Sequence, residues 1–340
     1  MLNQRVLTGI KPTGVPHLGN YLGAIQPALE LAKSHESFLF IADLHALTAK
    51  QDPKQLVEDT YAVAASWLAH GLDPNRVVFY RQSHVPEIPF LAWVLSCVLP
   101  KGMLERSHSY KDAIANKNLS DDAVNMGFFS YPVLMAADIL AFDVDVVPVG
   151  KDQKQHLEIS QEAARKFNLA YGETLKVPEA RINESVMTIP GLDGRKMSKS
   201  YGNTIQLLGT SEKDLQKHMI NKIVCDSTPL GDPLNIKGSV VAELYALFGS
   251  TEQNERFVNM CRSGRMDPND SASEAFGWGR AKKELFELLT EKFRGERAEY
   301  IRLMNDRGHI DQLLKQGAER ARAVASAVLE RVMKATGIRP

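Results

Sequence analysis

Short apolar runs alternate with helix-like segments over the first half of the chain. Four runs have the length and composition of buried strands, at residues 5–9, 38–42, 77–80 and 144–149. The segment at 52–70 begins with Asp-Pro, spaces its apolar residues at helical intervals and stops at a glycine. Strands that alternate with helices favour a parallel sheet with helices on both faces. The pattern therefore predicts an α/β fold.

The third and fourth predicted strands are separated by about 60 residues, far more than one crossover helix needs. Three helical segments are predicted there, at 86–98, 101–117 and 121–142. We interpret the region from about 85 to 142 as a helical insertion. An insertion of this size serves either a function of its own or additional packing on the sheet.

After residue 205 the pattern predicts helices only. They lie at 211–224, 240–248, 253–262, 280–293 and 311–334. The first opens with a capping-box pattern, and the last combines a broad apolar face with lysines and arginines. Such a basic face is either an ordinary soluble surface or a contact for RNA phosphates. Residues 206–340 are therefore predicted to form an all-helical C-terminal domain.

Composition limits the classes of protein to consider. The 41 Lys and Arg balance the 41 Asp and Glu, which argues against a non-enzymatic RNA-binding module. No segment has the roughly 18 apolar residues of a membrane span, and no signal-peptide pattern is found, so we expect a cytoplasmic protein. Cys97, Cys225 and Cys261 are too far apart for a CxxC metal site, and we expect them to be reduced and buried. No protein-bound metal is predicted.

A loop rich in Gly and Pro follows the first predicted strand. Residues 10–23 read IKPTGVPHLGNYLG and lead into a helix. Glycines let the backbone approach a ligand closely, and a helix N-terminus offers free N–H groups to a phosphate. The same pattern is also typical of a plain strand-to-helix connection, and neither the Walker motif nor GxGxxG is present.

A second loop places two ammonium groups and two hydroxyl groups close together. Residues 196–200 read KMSKS and follow a Gly-Leu-Asp-Gly turn. Alone this is a solvated basic loop, but with the first loop roughly 180 residues upstream it indicates a nucleotide site. The sequence HLGN at 17–20 resembles the HIGH signature, and residues 196–200 match the KMSKS signature, of class I aminoacyl-tRNA synthetases.

Amino-acid activation explains why these residue types suit the two loops. A carboxylate attacks the α-phosphate of ATP and expels pyrophosphate, so the protein contributes mainly positioning and electrostatic stabilisation. The lysines would face the pyrophosphate, and Mg²⁺ would travel on the ATP phosphates. The candidate ATP-binding residues of the two loops are Lys11, Pro12, Thr13, His17, Gly19, Asn20, Lys196, Met197, Ser198, Lys199 and Ser200. Those expected to be catalytic are Asn20, Lys196, Ser198 and Lys199.

Two carboxylates outside these loops are candidates for ligand contacts. Asp152 follows directly on the fourth predicted strand, where ligands bind in open parallel sheets, so it either accepts from ribose hydroxyls or caps a helix. Asp138 lies in an apolar helical run, and a buried Asp needs a partner. That partner is either a ligand donor or a salt bridge or helix cap. An indole N–H is a donor only, so a carboxylate acceptor suits tryptophan.

Over nearly its whole length the chain resembles the bacterial tryptophanyl-tRNA synthetases. The similar stretches are residues 9–14, 19–23, 42–48, 131–140, 147–156, 178–182 and 196–200. The family implies a Rossmann-like catalytic domain at 1–205, with the KMSKS loop at 191–203, and a helical anticodon-binding domain at 206–340. It also implies a homodimer that uses ATP, forms tryptophanyl-adenylate and transfers tryptophan to tRNA(Trp).

The same resemblance implies roles for further residues. The family's tryptophan pocket corresponds to Asp138, which would accept the indole N–H, and to Met135, His45, Tyr131 and Gln153. Its remaining ATP contacts correspond to Gly150, Lys151, Asp152 and the Val186 backbone. Lys111 falls where the family has a lysine that reaches the ATP phosphates, so we expect it to be catalytic.

Three positions depart from the family pattern. Lys11 stands where many members have glutamine, His17 where threonine is common, and Tyr201-Gly202-Asn203 where an acidic residue and proline are usual. We hypothesise that the ammonium of Lys11 alters the handling of ATP and of inhibitors that mimic tryptophan. The nearest alternative is a tyrosyl-tRNA synthetase, which amino-acid-dependent pyrophosphate exchange would distinguish. An HxGH-type nucleotidylyltransferase would explain the first loop but not KMSKS.

Overall fold

Two compact units make up the computed structural model, which describes residues 4–49, 52–116, 124–149, 154–182 and 188–339. The first unit comprises Met1–Gly14, Gln26–Val186 and Asp306–Pro340, and the second comprises Val15–Ile25 and Met187–Asn305. Each unit contains its own cluster of buried apolar side chains. Within the described residues, no helix is long and apolar enough to cross a membrane.

A parallel sheet of five strands forms the centre of the first unit. The strands are β1 (Arg5–Ile10), β2 (Glu36–Ile41), β3 (Val78–Arg81), β4 (Val146–Val149) and β5 (Glu179–Ile182). Their order is β3-β2-β1-β4-β5, and every neighbouring pair is parallel. The strand order changes direction at β1, as in Rossmann-like folds, which place ligands at the carboxyl ends of the strands. The predicted α/β fold is confirmed, although the apolar pattern does not predict β5.

The first unit also contains helices, several of which pack on this sheet. They are α2 (Gln26–Ala32), α3 (Asp43–Ala46), α4 (Pro53–Ala69), α5 (Glu87–Ser96), α6 (Lys101–Glu105), α7 (His108–Asn116), α8 (Met126–Leu140), α9 (Lys154–Tyr171) and α15 (Arg307–Ala335). In its described residues, the predicted insertion is mainly helical. Its middle segment, predicted as one helix, forms two, because the Ser107 hydroxyl accepts from the Tyr110 N–H at 3.4 Å and starts a new helix.

The C-terminal helix α15 belongs to the first unit because small residues let it approach β3 closely. A Cβ atom at Gly317 would collide with the backbone of Phe79. Ala318 and Ala321 are buried in the core of the same unit. The division by contacts therefore differs from the boundary at 205/206 expected from the sequence.

The second unit is helical. Its elements are α1 (Leu18–Asn20), a π-helical segment (Tyr21–Ile25), α10 (Glu212–Asp214), a second π-helical segment (Leu215–Met219), a 3-10 turn (Ile220–Lys222), α11 (Val240–Phe248), α12 (Thr251–Ser263), α13 (Trp278–Lys292) and α14 (Arg294–Asn305). The regular helix predicted at 211–224 is wrong, since Met219 leaves the helical region with φ −122° and ψ −75°. The prediction at 240–248 is confirmed, and α14 was not predicted.

Candidate active site

The two signature loops meet in the second unit. The backbone N–H of Gly19 donates to the Met197 Sδ at 3.3 Å, and the N–H of Leu18 donates to the Ile205 carbonyl at 2.8 Å. Leu18 and Met197 are buried in the same apolar cluster. A Cβ atom at Gly19 would lie 3.0 Å from the ring of His17, which explains the glycine at this position. Two motifs that are 178 residues apart in sequence are thus held in direct contact.

His17 caps helix α1 as a neutral imidazole. Its Nδ1 accepts from the Asn20 N–H at 3.3 Å, and the Asn20 Oδ1 accepts from the His17 N–H at 3.1 Å, which completes a capping box. Burial, together with the Lys199 ammonium, lowers the pKa of His17 to about 4. At neutral pH the ring therefore keeps the lone pair that the cap requires.

Asn203 organises the KMSKS loop. Its Oδ1 accepts from the Ser198 N–H at 2.8 Å, and its Nδ2 donates to the Asp193 Oδ1 at 2.7 Å and to the Lys196 carbonyl at 3.1 Å. The residue is buried, and Gly191 packs against it so closely that a Cβ there would collide with the Asn203 amide. One side chain thus joins both sides of the loop.

The Asp193 carboxylate is held in its charged form by this arrangement. The hydrogen bond from Asn203 and those from Arg195 outweigh desolvation and lower the pKa of Asp193 to about 2. Residues 201–203 depart from the family pattern in sequence. The sequence alone gives no sign that Asn203 links residues on both sides of KMSKS.

The KMSKS loop combines one buried side chain with exposed cations. Met197 is buried, whereas Lys196 and Lys199 are exposed. The hydroxyl oxygens of Ser198 and Ser200 lie 2.8 Å apart. The ammonium groups are therefore accessible to a polyanionic ligand, while the methionine fixes the loop to the core.

In the first unit, Asp138 lies at the centre of a buried polar cluster. His45 Nε2 donates to its Oδ2 at 2.8 Å, and Gln82 Nε2 donates to its Oδ1 at 2.7 Å. Burial raises the pKa of Asp138 above its usual value, and the hydrogen bonds from His45 and Gln82 offset only part of this increase. The structure therefore shows Asp138 paired with side chains of the protein itself. A further hydrogen bond from a ligand is compatible with this pairing, because each carboxylate oxygen has two lone pairs.

Tyr131 lies beside this cluster on helix α8. Its ring meets the His45 ring edge-on at 6.2 Å between centroids, and its hydroxyl oxygen lies 2.6 Å from Nε2 of His156. The Lys11 Nζ lies 5.7 Å from the centroid of the same ring. Partial burial lowers the pKa of Lys11.

One face of α8 carries three of the residues predicted for the tryptophan pocket. Tyr131, Met135 and Asp138 are spaced four and three residues apart, which places them on one side of the helix. Met135 is partly buried against the core of the first unit. These three residues and His45, all predicted from the sequence, thus lie near one another at the carboxyl end of the sheet.

The remaining predicted residues divide into two groups. Pro12 is buried and Thr13 exposed in the loop after β1, and Lys111 is an exposed residue of α7. The others lie outside the described residues, so their predicted roles remain predictions; they are Gly150, Lys151, Asp152, Gln153 and Val186.

The structure contradicts one part of the prediction for the cysteines. Cys261 is buried and Cys225 half-buried, but Cys97 is exposed. The expectation of buried thiols is therefore wrong for Cys97, because it follows α5 on the side away from the core. In the part of the chain that the structure describes, no group of three or more His, Cys, Asp or Glu residues could hold a metal ion.

Sequence reasoning missed Gln82 and Asp43. Gln82 is fully buried and follows directly on β3, while Asp43 is buried just after β2. Both positions are at the carboxyl ends of parallel strands, where ligand-binding residues concentrate. That rule, applied to every predicted strand, would have selected them.

Comparisons with known proteins identify the family. The model of the class I tRNA synthetases for W and Y matches residues 3–286. A tryptophan–tRNA ligase from Bordetella parapertussis is 44% identical over 344 residues, which cover 99% of this chain and 74% of the relative. One from Neisseria meningitidis is 43% identical over 347 residues, covering 100% of this chain and 99% of the relative.

A solved structure gives the same result. Tryptophanyl-tRNA synthetase from Campylobacter jejuni, complexed with ADP and tryptophan, superposes with a TM-score of 0.90 at 41% identity and covers 98% of this chain and 99% of that one. The family match, the full-length relatives and the contact between the two signature loops agree. The chain therefore belongs to the class I tRNA synthetases and, within them, to the tryptophan–tRNA ligase family.

Proposed function

We propose that this protein activates L-tryptophan with ATP and then transfers it to the 3′ end of tRNA(Trp). The observation that carries the proposal is the direct contact between Gly19 and Met197, which joins the HIGH-like and KMSKS loops. The tryptophan–tRNA ligases that resemble this chain over its full length supply the substrate class.

In the first step, the tryptophan carboxylate attacks the α-phosphorus of ATP, and pyrophosphate leaves. Lys196 and Lys199 stabilise the charge that develops on the pyrophosphate, and Ser198 and Ser200 donate hydrogen bonds. Gly19 allows close approach of the backbone, and Mg²⁺ accompanies the ATP phosphates. Because the carboxylate arrives ionised, no general base is needed in this step.

Further ATP contacts are proposed from the family resemblance. Asn20 and Lys111 act on the phosphates, and the loop after β1 contributes Lys11, Pro12 and Thr13. Residues Gly150, Lys151 and Asp152 and the Val186 backbone complete the set. His17 supports this region as a neutral cap, which adds no charge beside Lys199.

Selection of tryptophan is assigned to the buried cluster of the first unit. Asp138 accepts the indole N–H, and the indole ring lies among Met135, His45, Tyr131 and Gln153. A buried acceptor discriminates strongly, because a ligand without a matching donor leaves it unpaired. In the second step, the terminal adenosine of tRNA(Trp) attacks the activated carbonyl.

The proposal also includes the contact with tRNA, the cellular compartment and the oligomeric state. The helices after residue 206 contact the anticodon region of tRNA(Trp). The protein acts in the cytoplasm as a homodimer, with the helical insertion at the dimer interface.

Pyrophosphate exchange with ATP tests the proposal when it is run separately with each of the twenty amino acids. We expect exchange with tryptophan only. We also expect Lys199→Ala to slow exchange by roughly 100-fold while tryptophan affinity is retained, because its partner charge develops during the reaction. Exchange with tyrosine would favour the tyrosyl alternative, and the absence of exchange would contradict the proposed activity.

A further inference from the structure

We propose that Gln82 is a positioning residue that fixes Asp138 as a hydrogen-bond acceptor and thereby sets the selection for tryptophan. The inference rests on the proposed role of Asp138 toward the indole N–H. It adds a residue outside the predicted pocket, in the short 3-10 turn Gln82–His84 that follows β3.

The Gln82 amide uses both of its ends. Its Oε1 accepts from the backbone N–H groups of Leu44, at 3.1 Å, and His45, at 3.4 Å. Its Nε2 donates to the Asp138 Oδ1 at 2.7 Å. Because the two backbone donors require the oxygen, the amide cannot turn over without losing all three hydrogen bonds. The N–H end must therefore face Asp138.

The residues on both sides of Gln82 are held by a second buried carboxylate. Asp43 accepts from the Arg81 Nε at 2.5 Å and from both the N–H and the hydroxyl of Ser83, at 3.0 and 2.5 Å. Asp43 is itself buried. The residues immediately before and after Gln82 are thus attached to one fixed point, and the direction of the glutamine side chain is preset.

This arrangement controls which chemical form Asp138 presents. His45 donates to one carboxylate oxygen and Gln82 to the other, so rotation of the carboxylate would break a charge-assisted hydrogen bond. Both donors also favour the ionised form, which can only accept. Without Gln82, Asp138 can rotate or bind a proton and become a donor, and an N–H ligand loses its advantage over one that lacks the group.

The test compares tryptophan with its analogue in which sulfur replaces the indole N–H. The ratio of kcat/KM values in pyrophosphate exchange is measured for the wild type and for Gln82→Met, which keeps the length of the side chain but removes the amide. We expect the ratio to fall by about tenfold, with the KM for ATP unchanged. Gln161→Met is the matched control, because its Nε2 donates to the Pro178 carbonyl, elsewhere in the same unit.

A merely structural role would lower the activity toward both substrates equally and leave the ratio unchanged, which would overturn the inference. If Gln82→Met does not fold, Gln82→Asn decides the question, since its shorter amide cannot reach both α3 and Asp138. A fall in the ratio supports the inference, and an unchanged ratio overturns it. Failure of the proposed function is distinguishable, because the wild type itself would then show no exchange with tryptophan.

Discussion

His17 shows how its surroundings decide the charge of a capping residue. A histidine at a helix N-terminus can accept a backbone N–H only while its ring is neutral, and a protonated ring there would oppose the helix dipole. Burial and the nearby Lys199 both disfavour protonation and lower the pKa to about 4. The residue therefore caps the helix without adding charge beside the KMSKS lysine.

This depressed pKa predicts a pH-dependent contribution to stability. Unfolded His17 has a pKa near 6.5 and binds a proton below it, whereas the folded residue does so only near pH 4. The unfolding free energy therefore decreases as the pH falls from about 6.5 to about 4. In His17→Thr, which keeps a side-chain acceptor but does not titrate, the decrease is expected to be smaller.

Urea unfolding of both proteins at about pH 7 and about pH 5 measures the difference. Burial also lowers the pKa of His70 to about 4, and this effect is common to both proteins and cancels in the comparison. Equal losses of stability in the wild type and His17→Thr would show that His17 does not titrate in this way.

Single residues were predictable where a motif or an apolar context marked them. Asp138 stands out because a carboxylate in an apolar helix needs a partner. Gln82 and Asn203 do not stand out, because glutamine and asparagine are ordinary loop residues. Their importance comes from partners brought close by the fold: Gln82 and Asp138 are 56 residues apart. Periodicity and local motifs carry no information about such pairs.

At the scale of elements, the KMSKS loop combines a fixed base with exposed cations. Met197 attaches it to the core, and Asn203 joins Ser198, Lys196 and Asp193. A loop backbone held in this way starts both lysine side chains from fixed positions, so less conformational entropy is lost when the transition state forms.

Asn203→Asp tests this organisation with a side chain of the same shape. The new carboxylate can still accept from the Ser198 N–H, but it opposes the Asp193 carboxylate and the Lys196 carbonyl. We expect the kcat of pyrophosphate exchange to fall by about tenfold, with little change in the KM for tryptophan. Steady-state kinetics with each substrate varied in turn measures both quantities.

A double variant in which residues 193 and 203 exchange their side chains provides the control. In Asp193→Asn combined with Asn203→Asp, the donor and the acceptor trade places, and part of the lost kcat should return. A double variant as slow as the single Asn203→Asp variant would mean that the 193–203 pair does not set the loop geometry.

The sequence predicts a helix or strand most accurately where the residues of that element alone determine its structure. Helix α11 was predicted with the bounds that the structure shows, because Ser239 caps it and its apolar spacing is regular. The segment at 211–224 has the same kind of start but ends in π-helical and 3-10 turns. Buried Leu215 and Ile220 pack in the core of the second unit, and this packing outweighs local helix propensity.

At the scale of the whole molecule, helix order along the chain does not decide which unit a helix joins. The C-terminal helix α15 packs on β3 through small residues, and Arg320 donates to the carbonyls of Pro74 and Val77. The helical pattern of α15 gives no sign that it packs on β3. A domain boundary at 205/206, after the predicted strands, therefore separates α15 from the sheet it covers.

The helical insertion of the first unit exposes several large apolar side chains. Phe90 and Trp93, on α5, are 41% and 72% exposed, and Met126, at the start of α8, is 72% exposed. Leu47 is 52% exposed, and Asn125 ties this region to the neighbouring Thr48 by donating to its carbonyl at 3.2 Å. We propose that Phe90, Trp93 and Met126 of the helical insertion contribute to the proposed homodimer interface.

Trp93→Glu should weaken self-association because it places a charge where a large aromatic side chain would be buried between protomers. Buried tryptophans dominate many interfaces, so we expect the dimer dissociation constant to rise by about tenfold or more. Sedimentation equilibrium over a range of concentrations measures it. Leu169→Glu is the matched control, since Leu169 is 89% exposed on α9, outside the insertion, and its substitution should leave the dissociation constant unchanged. Equal effects of the two substitutions, or a wild type that sediments as a monomer, would remove α5 from the interface and leave its exposed tryptophan for another partner.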